Sequence, residues 1–570
     1  MLTDMIKLNC QKRKESIMTL YSQTVRDAAS QYLKTLTLRE KIGQMVQFNS
    51  RNLKFLRGKM SDSEIMARYP FGSYFSGCDV IDLIGQRVKG LEAVESLKAE
   101  AKIPLLICGD LENGTGGELP NLTTVGAARD PELAYEFGKV LAQRARWCGF
   151  HWTFGPVSDI VMNWLAPTIA TRALGSDPEL VALLAVQIIR GMQDQGLCAT
   201  AKHFPGDGLD FRNQHIGAAL DRMARNEWDA TYGKVYRSVI DAGVKAIMAG
   251  HIGLPCVDDR CFPATLSDRL CTGLLRHELG FEGVLITDAL IMSGFVSFQS
   301  YEKRMITMIN SGADVMLWPE TDIFDLTEKA VDAGDIPERR IDEAAQRVLE
   351  MKFACGLLGN EQLPAPQEPG EAYELTARKI AEKGTVLVCD RNHFLPLKPD
   401  SDRNLLVVVA DEPERLRDQD LRHYPRVENF LDELERREAC ITIKSKLNCL
   451  HLVDSEVSVE KYDAVLVLFT LNPFYSGRIS GETTEMIWMM SNFRHSKVIA
   501  VSLFSPYVIT ENPWTPAAVI NTGSYCPASQ RAAVKLLYGE IEANTRPPQD
   551  LLTDNRPLEE WEKIRYKSAK

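Results

Sequence analysis

The sequence predicts an α/β protein: a (β/α)8 TIM-type barrel followed by an αβα sandwich. Three observations carry this. Short β-prone runs alternate with longer amphipathic segments, the pattern of repeated βα units on a parallel sheet. There are eight such runs before residue 320: Gly43–Phe48, Gly72–Ser76, Pro104–Asp110, His151–Asp159, Cys198–His203, Ala246–His251, Gly283–Leu290 and Ala313–Trp318. Five of the eight end in or reach ionisable residues: Asp110, Asp159, Lys202 with His203, His251 and Asp288. Barrels of this kind carry their active sites at the carboxyl ends of the strands. Unpaired charge is costly to bury, so five converging runs point to a site rather than to packing.

The chain has 570 residues, more than one ordinary core holds, so at least two domains are expected. Residues 1–30 read as an N-terminal extension and 31–358 as the barrel, with Thr37 capping a first helix and a helix around Asp342–Cys355 closing it. Residues 359–371, rich in Pro, Gly, Glu and Gln, read as a linker. Residues 372–546 read as the sandwich. A helix near Ala372–Lys383 precedes apolar runs at Thr385–Cys389, Leu405–Ala410, Ala464–Phe469 and Val498–Leu503. Residues 547–570 read as a polar tail. No Gly-x-Gly-x-x-Gly follows a strand and no Walker-type loop is present, so nucleotide binding has no support.

Hydrophobic content of 45% and charged content of 25% are those of a soluble globular protein. A net charge of −11 without a dense basic block argues against nucleic acid. No signal-like segment opens the chain and no apolar stretch approaches a membrane span, so no membrane partner is expected. Thirteen cysteines without a Cys-x-x-Cys pair suit reduced thiols, and a cytoplasmic location is expected. Cys256 and Cys261 flank a turn but have no second pair, so no metal and no cofactor are expected. A homodimer is compatible with the sequence.

The most informative stretch runs from Ala199 to His215. It starts as an apolar strand delivering Lys202 and His203, breaks at Pro205, Gly206 and Gly208, and continues as a polar loop. The loop holds Asp207, Asp210, Arg212, Asn213 and His215, and its glycines read as hinges. His215 is the natural proton donor, because an imidazole titrates near neutrality. Asp288, ending the seventh run, suits a nucleophile, a base or a hydroxyl acceptor. Arg172, in the loop after the fourth run, suits a forked contact to the same ligand. A carboxylate nucleophile facing a proton donor is the arrangement for retaining glycoside hydrolysis.

Several motifs strengthen that reading. Lys202-His-Phe-Pro-Gly-Asp-Gly resembles the Lys-His-Phe-Pro-Gly-His-Gly motif of the β-N-acetylhexosaminidase branch of glycoside hydrolase family 3. Asp110-Leu-Glu-Asn-Gly resembles that branch's Asp-Gln-Glu-Gly-Gly. Pro263-Ala-Thr-Leu-Ser, the run from Gly273 to Gly283 and Thr287-Asp-Ala-Leu resemble the segment bearing the family nucleophile. The resemblance implies Asp288 as nucleophile and His215 as acid/base, with Asn213 beside it. It also implies that Asp110, Arg172, Lys202 and His203 bind the terminal sugar, and His251 is placed with them. The expected partner is a carbohydrate, most readily a β-linked N-acetylglucosaminide.

Three departures from the branch stand out. Asn213 occupies the place of an Asp that normally partners the histidine, Asp207 replaces a His, and Glu118 stands where an Arg contacts the sugar. Asn can fix a ring tautomer but supplies no charge, and Asp207 or Asp210 is a candidate to supply it instead. Three rival expectations follow: Glu482 of the second domain as the acid, as in the β-glucosidase branch; phosphorolysis; or sugar binding with weakened turnover.

Overall fold

The computed structural model describes residues 20–76, 94–114, 117–166, 168–169, 171–359, 362–398, 402–411, 420–445, 462–470, 497–507 and 516–549. Glu482 lies outside them. Strands β1 (Val46–Asn49), β2 (Ser73–Phe75), β3 (Leu106–Gly109) and β4 (Trp152–Thr153) begin the barrel. They are followed by β5 (Thr200–Phe204), β6 (Ala219–Leu220), β7 (Ala246–Ala249), β8 (Ile252–Gly253), β9 (Val284–Thr287) and β10 (Met316–Leu317). Pairing is parallel throughout, in the orders β10-β1-β2-β3-β4 and β5-β7-β9. Parallel bridges Trp152↔Cys198 and Val157↔Lys202 join β4 to β5, and Ile286↔Val315 joins β9 to β10. The eight barrel strands thus close a ring, while β6 and β8 form a separate short ladder beside it.

The barrel is filled from alternate strand positions by Phe75, Leu106, Cys108, Trp152, Met248, Val284, Ile286 and Leu317, among others. Two strands differ from expectation. The run from Gly43 is helical at its start: helix Leu38–Gln44 opens on a Thr37/Glu40 capping box and extends through Gly43. The fourth run is a strand only at Trp152–Thr153, because the chain turns at Gly155-Pro156, where proline offers no N–H to a ladder. Helix Gln23–Leu33 runs across residue 30 and buries Ala29 against Leu349 of helix Glu338–Ala354.

A second sheet has the order β11-β16-β15-β14-β12-β13. It comprises β11 (Val386–Asp390), β12 (Asn404–Ala410), β13 (Cys440–Ser445), β14 (Ala464–Phe469), β15 (Val498–Ser502) and β16 (Ala518–Asn521). It is parallel except for edge strand β11. Helix Glu371–Gly384 ties this sheet to the barrel. A Cβ on Gly384 would sit 2.3 Å from the Thr124 carbonyl oxygen, so only glycine permits this approach. Thr124 Oγ1 donates to the Thr522 carbonyl at 2.7 Å, and Asn544 Nδ2 to the Ala127 carbonyl at 3.0 Å. The sandwich therefore docks on the helix that follows the β3 loop, beside the barrel mouth.

Candidate active site at the barrel mouth

Asp110 and Glu112 follow β3, and Lys202 projects from β5. Lys202 Nζ, almost fully buried, lies 2.7 Å from Asp110 Oδ1 and 2.7 Å from Glu112 Oε1. Arg172 reaches the same Glu112 with both arms of its guanidinium, Nε at 2.8 Å, and donates from Nη1 to the Thr168 carbonyl at 2.9 Å. Burial acts to raise the Glu112 carboxyl, yet Arg172 and Lys202 hold it well below the ordinary range. Burial likewise acts against the Lys202 and Arg172 cations, and the carboxylates more than compensate, so both stay charged. Two anions and two cations form one grid, with Asp110 the more exposed of its carboxylates.

His203 follows Lys202 in β5 and is buried. Its Nδ1 lies 2.7 Å from Asp159 Oδ2, while Asp159 Oδ1 accepts the backbone N–H of His203 at 3.0 Å and of Asp207 at 2.8 Å. Burial alone would lower the His203 imidazole, but Asp159 raises it overall, with Asp288 adding to the effect.

Asp288 is half-buried directly after β9. Its Oδ1 accepts the Ala289 N–H at 2.7 Å, and its own N–H donates to the Ala249 carbonyl at 2.8 Å. Burial acts to raise its carboxyl. The imidazoles of His203 and His251, the Ala289 N–H and His215 outweigh that and lower it, so Asp288 is an anion at neutral pH.

His215 lies at the end of the loop that leaves β5. Gly206 and Gly208 do not act as free hinges there. Both have positive φ (139° and 115°), and a Cβ would meet the Tyr232 ring at 2.4 Å or the Ile160 carbonyl oxygen at 2.2 Å. The loop is also pinned at its far end: Ser293 N–H donates to the His215 carbonyl at 3.1 Å and Gly294 N–H to the Gln214 carbonyl at 2.9 Å. Asn213 Oδ1 receives the His215 backbone N–H at 2.9 Å and lies 2.7 Å from His215 Nδ1. Two donors on one amide oxygen fix the amide's orientation and make Nδ1 the protonated nitrogen of the neutral ring. Burial lowers the His215 imidazole, and the nearby Asp288 charge offsets only part of this.

The charge sought in Asp207 or Asp210 is engaged elsewhere. Asp207 accepts from Thr168 Oγ1 at 2.9 Å, Gln214 Nε2 at 3.2 Å and Gly208 N–H at 2.7 Å. Burial and the Asp159 charge raise its carboxyl to about 6. Asp210 pairs with Arg212 and accepts the Leu220 N–H at 2.7 Å. His251 also departs from its expected role. Its ring is fully buried, with Nδ1 2.9 Å from Thr265 Oγ1 and Nε2 3.0 Å from the Ala289 carbonyl oxygen. Both nitrogens are occupied by protein, which fits support of the Asp288–Ala289 turn rather than a sugar contact. Glu118 accepts from Tyr373 Oη at 3.4 Å. Among the described residues, no three His, Cys, Asp or Glu side chains group as metal ligands, and no helix is long and apolar enough to cross a membrane.

Glu112 was not among the residues singled out by sequence. The available signal was its place within the Asp110-Leu-Glu-Asn-Gly motif, two residues after a strand-end carboxylate. A barrel mouth with a half-buried anionic carboxylate, a tautomer-fixed imidazole and a grid of paired charges suits an enzyme acting on a polar, multiply hydroxylated substrate. The family follows from direct comparison. Residues 37–351, more than half of the chain, match the glycosyl hydrolase family 3 N-terminal domain, and the chain belongs to that family. It is 35% identical over 325 residues to a β-N-acetylglucosaminidase/β-glucosidase of Cellulomonas fimi, covering 53% of this chain and 58% of that one. It is 34% identical over 259 residues to a β-hexosaminidase of Stenotrophomonas maltophilia (strain R551-3), covering 43% of this chain and 76% of the relative. The family 3 β-N-acetylglucosaminidase structure from Paenibacillus sp. str. FPU-7 superposes with a TM-score of 0.77 at 26% identity, covering 91% and 99% of the two chains. A β-glucoside phosphorylase, BglX, shares the fold with a TM-score of 0.79 at 24% identity over 93% and 97%.

Proposed function

We propose that this chain is a retaining glycoside hydrolase that releases a non-reducing terminal β-linked sugar, N-acetylglucosamine, with Asp288 as nucleophile and His215 as acid/base. The observation that carries the reading is the pair itself: an anionic carboxylate at the end of β9 and an imidazole whose tautomer Asn213 fixes. In the first step an Asp288 oxygen bonds to the anomeric carbon as the glycosidic bond breaks, and protonated His215 Nε2 gives its proton to the departing oxygen. In the second, neutral Nε2 takes a proton from water, whose oxygen attacks the anomeric carbon and frees Asp288. Two inversions give net retention. Asp110, Arg172, Lys202 and His203 hold the sugar hydroxyls, and Glu112 holds the two cations in place. The choice of N-acetylglucosamine is supported by the names of the relatives from Cellulomonas and Stenotrophomonas. A cytoplasmic location is supported by ten free cysteines among the described residues.

A panel of nitrophenyl glycosides, each assayed with and without phosphate, tests the reading. Release of the free sugar from the β-N-acetylglucosaminide, independent of phosphate, is expected. A sugar 1-phosphate product would make the enzyme a phosphorylase, and binding without release would make it a sugar-binding protein.

A further inference from the structure

Seven large apolar side chains are exposed among the described residues, and they are not scattered. Phe55 and Leu375 stand apart. The other five are Met162 (40% exposed), Phe211 (64%), Ile216 (76%), Ile291 (51%) and Val296 (42%). All five belong to three segments laced together at the proton-transfer loop. Met162 N–H donates to the Gly208 carbonyl at 3.1 Å, and Asn163 Nδ2 to the Leu209 carbonyl at 3.0 Å. Ser293 and Gly294 donate to His215 and Gln214 as described above. Phe211 and Ile216 lie on the loop itself, Ile216 directly after His215, and Ile291 comes three residues after Asp288.

Exposed apolar side chains gathered in one place mark binding surfaces, whereas single ones carry no meaning. Four of these side chains offer no hydrogen-bonding group to a hydroxyl, and Met162 only a weakly accepting thioether. Arg212, on the loop, is paired with Asp210, and Arg304 is taken up by the carbonyls of Val296, Phe298 and Gln299. The sugar side of the mouth is the reverse: Asp110, Glu112, Arg172 and Lys202 are all charged. Because the apolar side chains flank the residue that protonates the departing oxygen, they flank the departing group.

We infer that this apolar rim binds the leaving group, and that it selects an alkyl or aryl aglycone over a second sugar. The inference rests on the proposed function, because it needs His215 and Asp288 to flank the bond that breaks.

A series of straight-chain alkyl β-glycosides from ethyl to octyl, on the glycone that turns over best, tests it against the β-1,4-linked disaccharide of the same sugar. The alcohols released have similar acidity, so chain length changes contact and not leaving-group chemistry. One buried methylene contributes up to about fourfold. The expected result is a kcat/KM that rises at least tenfold from ethyl to octyl, exceeds that of the disaccharide at octyl, and rises less steeply in Phe211→Ser and Ile291→Ser. These positions are exposed, so serine is compatible with folding. A flat series, or a disaccharide that outperforms octyl, overturns the inference while leaving the proposed function intact. No release from any nitrophenyl glycoside by the folded enzyme overturns the proposed function instead. A dimer by sedimentation that Phe211→Ser converts to monomer, together with a flat series, assigns the rim to self-association and overturns the inference.

Discussion

On the β3–β5 side of the mouth, four charged side chains neutralise one another; on the loop side, the imidazole of His215 leans on a neutral amide. In the first region Glu112 accepts from Arg172 and Lys202, and Lys202 also meets Asp110, all within hydrogen-bonding distance. The charges of Glu112, Arg172 and Lys202 are locked on and the geometry is fixed before a ligand arrives. In the second, Asn213 gives His215 a tautomer but no counter-charge, and burial lowers the ring's affinity for protons. In the proposed roles, binding and proton transfer are therefore set by different physics. The first should respond to removal of charge at any pH, and the second should respond to pH.

The largest expected effect lies outside both regions. Asp288→Ala keeps the fold, because its main structural bonds are backbone ones, but turnover falls by on the order of 10⁴-fold or more, as loss of a covalent nucleophile does. Steady-state rates on the best nitrophenyl substrate check this, with a melting curve as the control for folding.

His215→Ala comes next. General acid–base catalysis contributes roughly 10²–10⁴-fold, so an alkyl glycoside with a poor leaving group loses about that much. An activated nitrophenyl glycoside loses far less in its first step, and azide restores part of the second. If the loss is the same for both leaving groups, His215 is not the acid. The same leaving-group contrast in Glu482→Gln would then move the acid to the second domain.

Glu112→Gln strikes the charged grid. Charge-assisted hydrogen bonds contribute about 1.5–3 kcal/mol each, so kcat/KM falls by about ten- to a hundredfold. The fall is expected at both pH 5 and pH 8, since the Arg172 guanidinium stays protonated across that range and Asp110 still pairs with Lys202. A loss confined to one end of the pH range would contradict the fixed-charge account of this wall.

The smallest effect is the sharpest test of the contrast. As an acid, His215 must be protonated, so kcat/KM on poor leaving groups declines as pH rises through a value below the ordinary 6.5 for imidazole. Asn213→Asp places an anion beside the ring and moves that alkaline limb upward by about one pH unit. At pH 7 the variant is then several-fold faster than the parent. A limb that stays in place shows that the proton on His215 does not set the rate.

Much of this arrangement was legible in the chain. Strand ends carry their side chains to one rim in a parallel barrel, so Asp110, Lys202, His203 and Asp288 were readable from where the apolar runs stop. Strands β13 and β16 escaped notice. The first is a partly exposed edge that reads as the alternating Cys440–Ser445, and the second is only four residues long. Glu112 escaped because a loop carboxylate looks solvated until the two cations around it are placed. His251 misled for the opposite reason. It ends a strand at the mouth as the others do, and only packing shows that Thr265 and the Ala289 carbonyl occupy its ring. The loop glycines looked like hinges because sequence shows their freedom but not the Tyr232 ring and Ile160 carbonyl that press on them.

The central claim is that the ester forms on Asp288, and trapping tests it most directly. The enzyme is inactivated with a 5-fluoro glycoside of the preferred sugar, digested with protease, and the modified peptide is sequenced by tandem mass spectrometry. The label is expected on Asp288, within the peptide that spans Gly283–Leu290, and its formation is expected to be blocked by a competing substrate. A label on Asp110, Asp207 or any other carboxylate, formed at the rate of inactivation, would contradict the account.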